Sequence, residues 1–344
     1  MLYDLLTQTM KTMGVLALFQ RMNIHNFSIL MYHGIRKDSD KTHLSEYSEL
    51  NVPMQAFTEQ MKYIQKKYHV LSMSEIVRHI QANKPLPPHS LAITFDDGYL
   101  NNYLYAYPIC KKLNIPFTIY VATNFINNQD LLWTDRLLLA FSNTKQTQLS
   151  INIKGDDYSY VLQNPRDKDQ AHLDLLQKLK QLNTMKIHET LNEVEARLDI
   201  QPEHMDTSPL RPCSWKELYE MANSGLVEIG AHTAGHHILT QLSETECKNE
   251  LNTSKEQVEK NLKRQCNHFA YPNGRIGDFN SDTEKWIKEA GFSSAVTTVE
   301  RFNNHTSNPL ALNRLGIYGH YSHSEFVSMI SGFHSLLAKI LYRK

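Results

Sequence analysis

No charge of one sign predominates in this 344-residue chain: 36 lysines and arginines balance 36 aspartates and glutamates. There is no overall positive field to gather nucleic acid, and a nucleic-acid partner is not expected. Cysteine is scarce, limited to Cys110, Cys213, Cys247 and Cys266, with no Cys-x-x-Cys pair. A chain this long needs no disulfide staples, so four reduced thiols in a reducing compartment are expected. Long hydrophobic runs are missing as well. The best apolar run near the start, Gly14 to Phe19, lacks the basic flank, length and small-residue cleavage site of a secretory leader. Nothing approaches the ~20 apolar residues that span a bilayer. The expectation is a soluble, cytoplasmic protein. Its alternative is peripheral attachment to the inner membrane through a C-terminal amphipathic helix over 323–344, with Phe326, Met329, Ile330, Phe333, Leu336, Leu337 and Ile340 on the apolar side.

What remains is ordinary globular material, 41% hydrophobic and 21% charged, long enough for a sizeable core. Strands and helices alternate. A strand is expected at 28–33, a helix at 53–67, a strand at 69–71, and a helix from Ser74 to Gln81 with Ser74 as N-cap. A strand follows at 91–95, then a helix near 103–112 and a strand at 117–121. Alternation resumes with helix 214–224, strand 226–230, helix 243–263, strand 267–271, helix 281–290 and strand 293–297. That order favours a parallel α/β architecture. The more polar stretch 127–208 interrupts it and reads as an inserted, mainly helical subdomain or lid, with helices near 131–142, 168–181 and 185–197 and a hairpin at 148–162. The division expected is an N-terminal helical segment over 1–27, a core of 28–126 and 209–322, the insertion between them, and the C-terminal helix.

Two strands end in chemistry. Leu91-Ala-Ile-Thr-Phe runs into Asp96, Asp97 and Gly98; Val227-Glu-Ile-Gly-Ala runs into His232, with His236 four residues on. An apolar strand that stops at polar groups delivers them to the rim of a sheet or barrel. One aspartate and two imidazoles suit a divalent metal with a position left open, and the second aspartate is then free to act as a base. Both histidines would share a face if they lie on one helical turn. Taken singly, Asp-Asp-Gly is as well read as a helix-capping turn, and a His-x-x-x-His is incidental in a chain with 17 histidines. A third segment, His268-Phe-Ala-Tyr-Pro-Asn-Gly274, ends in a turn able to aim a main-chain N–H at a developing oxyanion.

In this order the three segments resemble the polysaccharide deacetylases of the NodB-homology type (carbohydrate esterase family 4), and the Phe-Ala-Tyr-Pro-x-Gly form resembles the poly-N-acetylglucosamine deacetylase-like subgroup. The likeness covers about 28–125 and 210–320. It implies a distorted (β/α) barrel of about seven parallel strands. It implies Asp96 as general base, and Asp97, His232 and His236 as ligands of one divalent metal, zinc first, with cobalt, nickel or manganese as alternatives. Asn273 falls where the family uses a main-chain N–H for the oxyanion hole. Tyr32 and His33 match a Tyr-His of the subgroup's site; Tyr32, Tyr271 and Pro272 are expected to touch substrate. Ala270 replaces an arginine that orients the base in many members, and Arg314, at the end of a late strand, is a candidate to orient a carboxylate instead. His33 is favoured over His320 as general acid. Trp133 and Trp215 could stack on sugar rings.

The activity implied is metal-dependent hydrolysis of N-acetyl groups from an amino-sugar glycan, or from its lipid- or nucleotide-linked precursor, in cell-envelope or exopolysaccharide biosynthesis. The alternatives are removal of another acyl group, such as formyl, and a carbohydrate-binding protein built on an inactive barrel. The partner implied is a carbohydrate; the oligomeric state is left open.

Overall fold

The computed structural model describes residues 2–39, 44–182, 184–200, 207 and 210–334. Its strands are β1 (Ser28–Tyr32), β2 (Gly34–Arg36), β3 (Asn51–Pro53), β4 (His69–Val70), β5 (Ser90–Phe95), β6 (Phe117–Val121), β7 (Gln148–Ile153), β8 (Asp156–Val161), β9 (Val227–Ala231), β10 (His268–Ala270), β11 (Ser294–Val296) and β12 (Leu315–Gly316). Its α-helices are α1 (Leu2–Thr12), α2 (Val15–Met22), α3 (Ser45–Leu50), α4 (Met54–Lys67), α5 (Met73–Gln81), α6 (Tyr107–Leu113), α7 (Thr123–Asn128), α8 (Trp133–Asn143), α9 (Pro165–Leu179), α10 (Thr184–Arg197), α11 (Trp215–Asn223), α12 (Glu244–Leu262), α13 (Ser281–Glu289) and α14 (His323–Ser331).

The main sheet is parallel, in the order β11-β10-β9-β6-β5-β1-β12, with β4 pairing the first residues of β5. The segment that leads into β12 meets both ends of that order. Leu312 bridges Val296 of β11, while Leu315 pairs with Leu30 of β1. The sheet therefore curls into the distorted (β/α) barrel that the family resemblance implied, with the parallel strands that the alternation favoured. The period of two then sorts side chains to two faces. Ile29, Ala92, Tyr120, Ala270, Val296 and Leu312 meet inside the barrel, with Met73, Ile76 and Ile80 of α5 packed among them. Their neighbours Leu30, Ile93, Phe95, Ile119, Val121 and Phe269 face outward into the larger core under the helices.

The helix boundaries follow the apolar period to within a few residues. One cap differs: Ser72, not Ser74, starts α5, in a reciprocal capping box with Glu75. Ser74 instead donates or accepts through its hydroxyl with His268 at 2.9 Å. The expected helix at 103–112 begins as a π-helical turn over Asn102–Ala106. In the insertion, α8, α9 and α10 pack together, and β7 and β8 form an antiparallel hairpin. At the C-terminus, α14 stops at Ser331, with Gly332 in the left-handed region at φ 88°. The rest of the expected 323–344 helix, with Leu336, Leu337 and Ile340, lies outside the described residues. Phe326, Met329 and Ile330 are buried, with α14 packed against α1, α2 and α4. No helix among the described residues is long and apolar enough to cross a membrane.

Candidate active site

The ends of β1, β5, β9, β10 and β11 carry His33, Asp96, His232, Pro272 and Thr298 to one cleft of about 1140 Å³. On a strand, Asp97 would point away from Asp96. It does not, because the chain turns left-handed there, with φ 72° at Asp97 and 93° at Gly98. Glycine is required at the second position, since a Cβ on Gly98 would come within 2.9 Å of Val121 Cγ1. Both carboxylates thus line the cleft.

His232 and His236 converge by a different route from the helical turn expected. Residues 232–238 form an irregular loop, bent by left-handed Thr233 (φ 62°) and His236 (φ 58°). Glu250 of α12 braces it. One carboxylate oxygen accepts from the main-chain N–H of Ala234 at 2.9 Å and of Gly235 at 2.8 Å, and the other lies 3.2 Å from His237 Nδ1. Nothing in the sequence pattern around Glu250 marked this role.

The loop brings His236 Nε2 to 3.2 Å and His232 Nε2 to 3.6 Å from Asp97 Oδ1. One ligand atom from each of the three residues lies within 4.8 Å of the others. The donor set fits a divalent metal. His232 Nδ1 donates to the Ala270 carbonyl at 2.7 Å, which leaves its Nε2 lone pair facing the cluster. Asp97 Oδ1 is buried with no hydrogen-bond donor aligned on it. Burial pushes Asp97 up, but His236, His33 and His232 more than offset this and hold the carboxyl well below the usual range. Burial drives His232 down to about 4, so the imidazole is a neutral base at neutral pH.

Asp96 is gripped from across the barrel. Arg314 reaches it with two parallel hydrogen bonds of 2.7 Å, one to each oxygen. The guanidinium is fully buried and itself fixed: Nε donates to the Thr297 carbonyl at 2.8 Å and Nη1 to Thr94 Oγ1 at 3.2 Å. Burial alone would raise Asp96; Arg314, and after it His232, keep the carboxyl ionised and below its ordinary range. The position expected to carry a base-orienting arginine is Ala270, a buried inward-facing residue of β10.

His33 lines the cleft close enough to hold both aspartates toward the charged form. His320 is exposed, stacks on Tyr318 and does not line the cleft. Asn273 sits at the rim with φ 60°; its side chain receives Lys180 Nζ at 3.1 Å and donates to Asp278 at 2.5 Å. Pro272 lines the cleft beside it.

Two expected substrate contacts are elsewhere. Tyr32 faces outward from β1, packs on Phe57 and Phe95 and donates to Gln60 at 3.0 Å. Tyr271 also faces outward, stacks on Phe279 and donates to the Leu310 carbonyl at 2.9 Å. Each directly neighbours an inward residue, so strand alternation denies it the cleft. Of the two tryptophans, Trp133 lines the cleft, while Trp215 donates to Asn127 outside it.

The residues that match the polysaccharide deacetylase family span 83–295, more than half of the chain, and include the Asp-Asp pair, the insertion and the histidine loop. The chain belongs to the polysaccharide deacetylase family. Over 110 residues it is 32% identical to YxkH of Bacillus subtilis strain 168, a protein named for the same family. That match spans 36% of the relative's length. Among solved structures, the Streptococcus pyogenes deacetylase PplD in complex with acetate superposes with a TM-score of 0.59 at 21% identity, over 89% of this chain and 99% of that one. IcaB from Ammonifex degensii gives 0.55 at 17% identity, over 89% and 97%. A de-N-acetylase from Aggregatibacter actinomycetemcomitans gives 0.56 at 16% identity, over 88% and 99%. At these identities the superpositions establish the fold.

Proposed function

We propose that this chain hydrolyses the N-acetyl group of an amino-sugar glycan, or of its lipid- or nucleotide-linked precursor, with a divalent metal held by Asp97, His232 and His236. The observation that carries the reading is the meeting of these three residues within 4.8 Å, beside an Asp96 clamped by Arg314, at the floor of one cleft. A cation bound there would supply Lewis-acid chemistry and bring the pKa of a water toward ~7. Zinc fits two imidazoles and a carboxylate, as do cobalt, nickel and manganese.

The chain's own residues divide the remaining work. Asp96, kept ionised by Arg314, accepts the proton of the attacking water. His33, which lines the cleft near both aspartates, donates a proton to the departing amine. The main-chain N–H of Asn273 faces the oxyanion of the tetrahedral stage, a kind of contact whose loss costs ~10²–10³ in rate. Pro272 and Trp133 border the sugar. The four free, buried cysteines support a reducing compartment, the cytoplasm, as the place of action.

The test is acetate release from N-acetylated amino sugars by the metal-loaded protein, with formate measured in parallel. Asp96→Asn is expected to keep stoichiometric metal and lose activity, while His232→Ala loses both. An active Asp96→Asn enzyme would reject Asp96 as the base, and formate without acetate would replace the acyl group assigned.

A further inference from the structure

We infer that the aliphatic wall turned toward the cleft by the insertion is a subsite for the hydrocarbon portion of the substrate, which makes that substrate a neutral, amphiphilic amino-sugar glycolipid. The inference rests on the deacetylase reading of the adjacent cluster and narrows it to one of the carriers named there.

Size is the first argument. A cleft of about 1140 Å³ is larger than the ~300–1,000 Å³ of pockets that enclose a drug-sized molecule. A single sugar ring seated at Asp97 leaves much of it for another part of the substrate.

Chemistry is the second. Leu173 and Leu176 of α9, and Leu182, Met185 and Ile187 just beyond it, line the cleft. Of these, Leu176, Leu182 and Ile187 are buried in the core with Leu175 and Leu179 and back the wall from behind. Leu173 and Met185 are nonetheless 39% and 67% exposed. Apolar side chains that line a cleft while remaining in water mark a surface suited to an apolar ligand.

Charge is the third. Beyond the aspartate pair, Glu49, Asp135, Glu246 and Glu300 line the cleft, against Lys180 and Arg275. Lys180 is already engaged with Asn273. A nucleotide or other polyanionic carrier would meet an excess of carboxylates, whereas an uncharged alkyl carrier meets none of that cost.

The experiment compares methyl and octyl N-acetyl-β-glucosaminide, both below micelle-forming concentration, on the zinc-loaded protein. Binding is measured by titration calorimetry and acetate release on the same pair. Each methylene that leaves water is worth ~0.8 kcal/mol, or ~4-fold. The octyl compound is expected to bind at least ~10-fold more tightly, with a more negative heat-capacity change. The L173S/M185S variant, altered only at exposed positions, is expected to shrink that advantage to under ~3-fold. Leu104→Ser, equally apolar and 47% exposed but outside the cleft, leaves the advantage intact. Equal affinity for the two compounds, binding of neither, or an octyl advantage untouched by L173S/M185S would overturn the subsite. An octyl advantage without acetate from either compound keeps the subsite and rejects the deacetylase reading on this sugar. Acetate from both at equal affinity and equal kcat/KM does the reverse.

Discussion

Arg314 and Asp96 form a buried ion pair with two matched hydrogen bonds, and each is the other's solvent. Removing one charge leaves its partner stranded in a medium that hydrates it poorly, at a cost of ~3–5 kcal/mol. Arg314→Met is therefore expected to lower unfolding free energy by about that much in chemical denaturation, and to reduce deacetylation ~100-fold or more through a misplaced base. The double variant with Asp96→Asn is expected to regain part of the stability and none of the activity. A fully additive loss would show that the pair is not coupled. At this scale the sequence was informative where a strand runs into charge. Asp96, Asp97 and His232 each follow an apolar run, and all three reach the cleft. Arg314 was expected at the end of a late strand; it instead lies just before β12, and only the fold shows its reach to Asp96. Tyr32, which matches the subgroup's Tyr-His by resemblance, and Tyr271 do not line the cleft. Each sits one residue from an inward-facing position, and a one-residue offset on a strand means the opposite face.

Helices and loops carry the next level. The loop that holds His236 is bent by left-handed residues and tied down by Glu250, fourteen positions beyond it on α12. Removing such an outer support of a metal ligand commonly costs 10–100-fold in affinity. Glu250→Ala is expected to weaken zinc binding by about that factor in competition with a chromogenic chelator, while far-ultraviolet circular dichroism stays unchanged. Apolar period and caps made the helices legible to within a few residues. This loop was not, because its shape depends on a partner from another element and on backbone angles that no local pattern announces.

Helix α9 brings a different liability. Burial pushes His172, packed near Phe141, down to about 4 from its ordinary 6.5. Above pH 6.5 the imidazole is neutral whether the chain is folded or not, and nothing is lost. Below it the unfolded chain takes up a proton that the folded one refuses. Stability should therefore fall as pH drops from 6.5 to about 4, by about 3 kcal/mol from this residue, and level off below that. His172→Phe is expected to flatten that part of the urea midpoint against pH curve; an unchanged slope would assign the loss to other groups.

Across the whole molecule, the alternation of strand and helix was enough to read a parallel α/β architecture, and the barrel came from the family resemblance. Alternation could not reveal how the ring closes, since β12 is two residues long and its approach borrows hydrogen bonds from both neighbours. Nor could it show that the insertion forms a wall of the cleft, because an apolar residue facing a ligand has the same helical period as one facing a core. The cluster of Asp97, His232 and His236 joins β5 to β9, distant in sequence and not adjacent in the sheet order. A ligand that binds only the folded form at 100 times its Kd adds ~2.7 kcal/mol. Excess zinc is thus expected to raise the Tm by roughly 4 °C relative to chelator-treated protein, and His232→Ala should abolish the difference.

The left-handed geometry at Asp97, Thr233, His236 and Asn273 has one more consequence. Non-glycine residues adopt that region at a cost of ~1–3 kcal/mol each, and here they surround the working groups. On the function proposed above, the fold forfeits stability at the spots where it does its chemistry. Glycine there would relax the backbone but remove the proposed ligands at Asp97 and His236 outright, so selection for thermal robustness and selection for turnover should pull these positions in opposite directions.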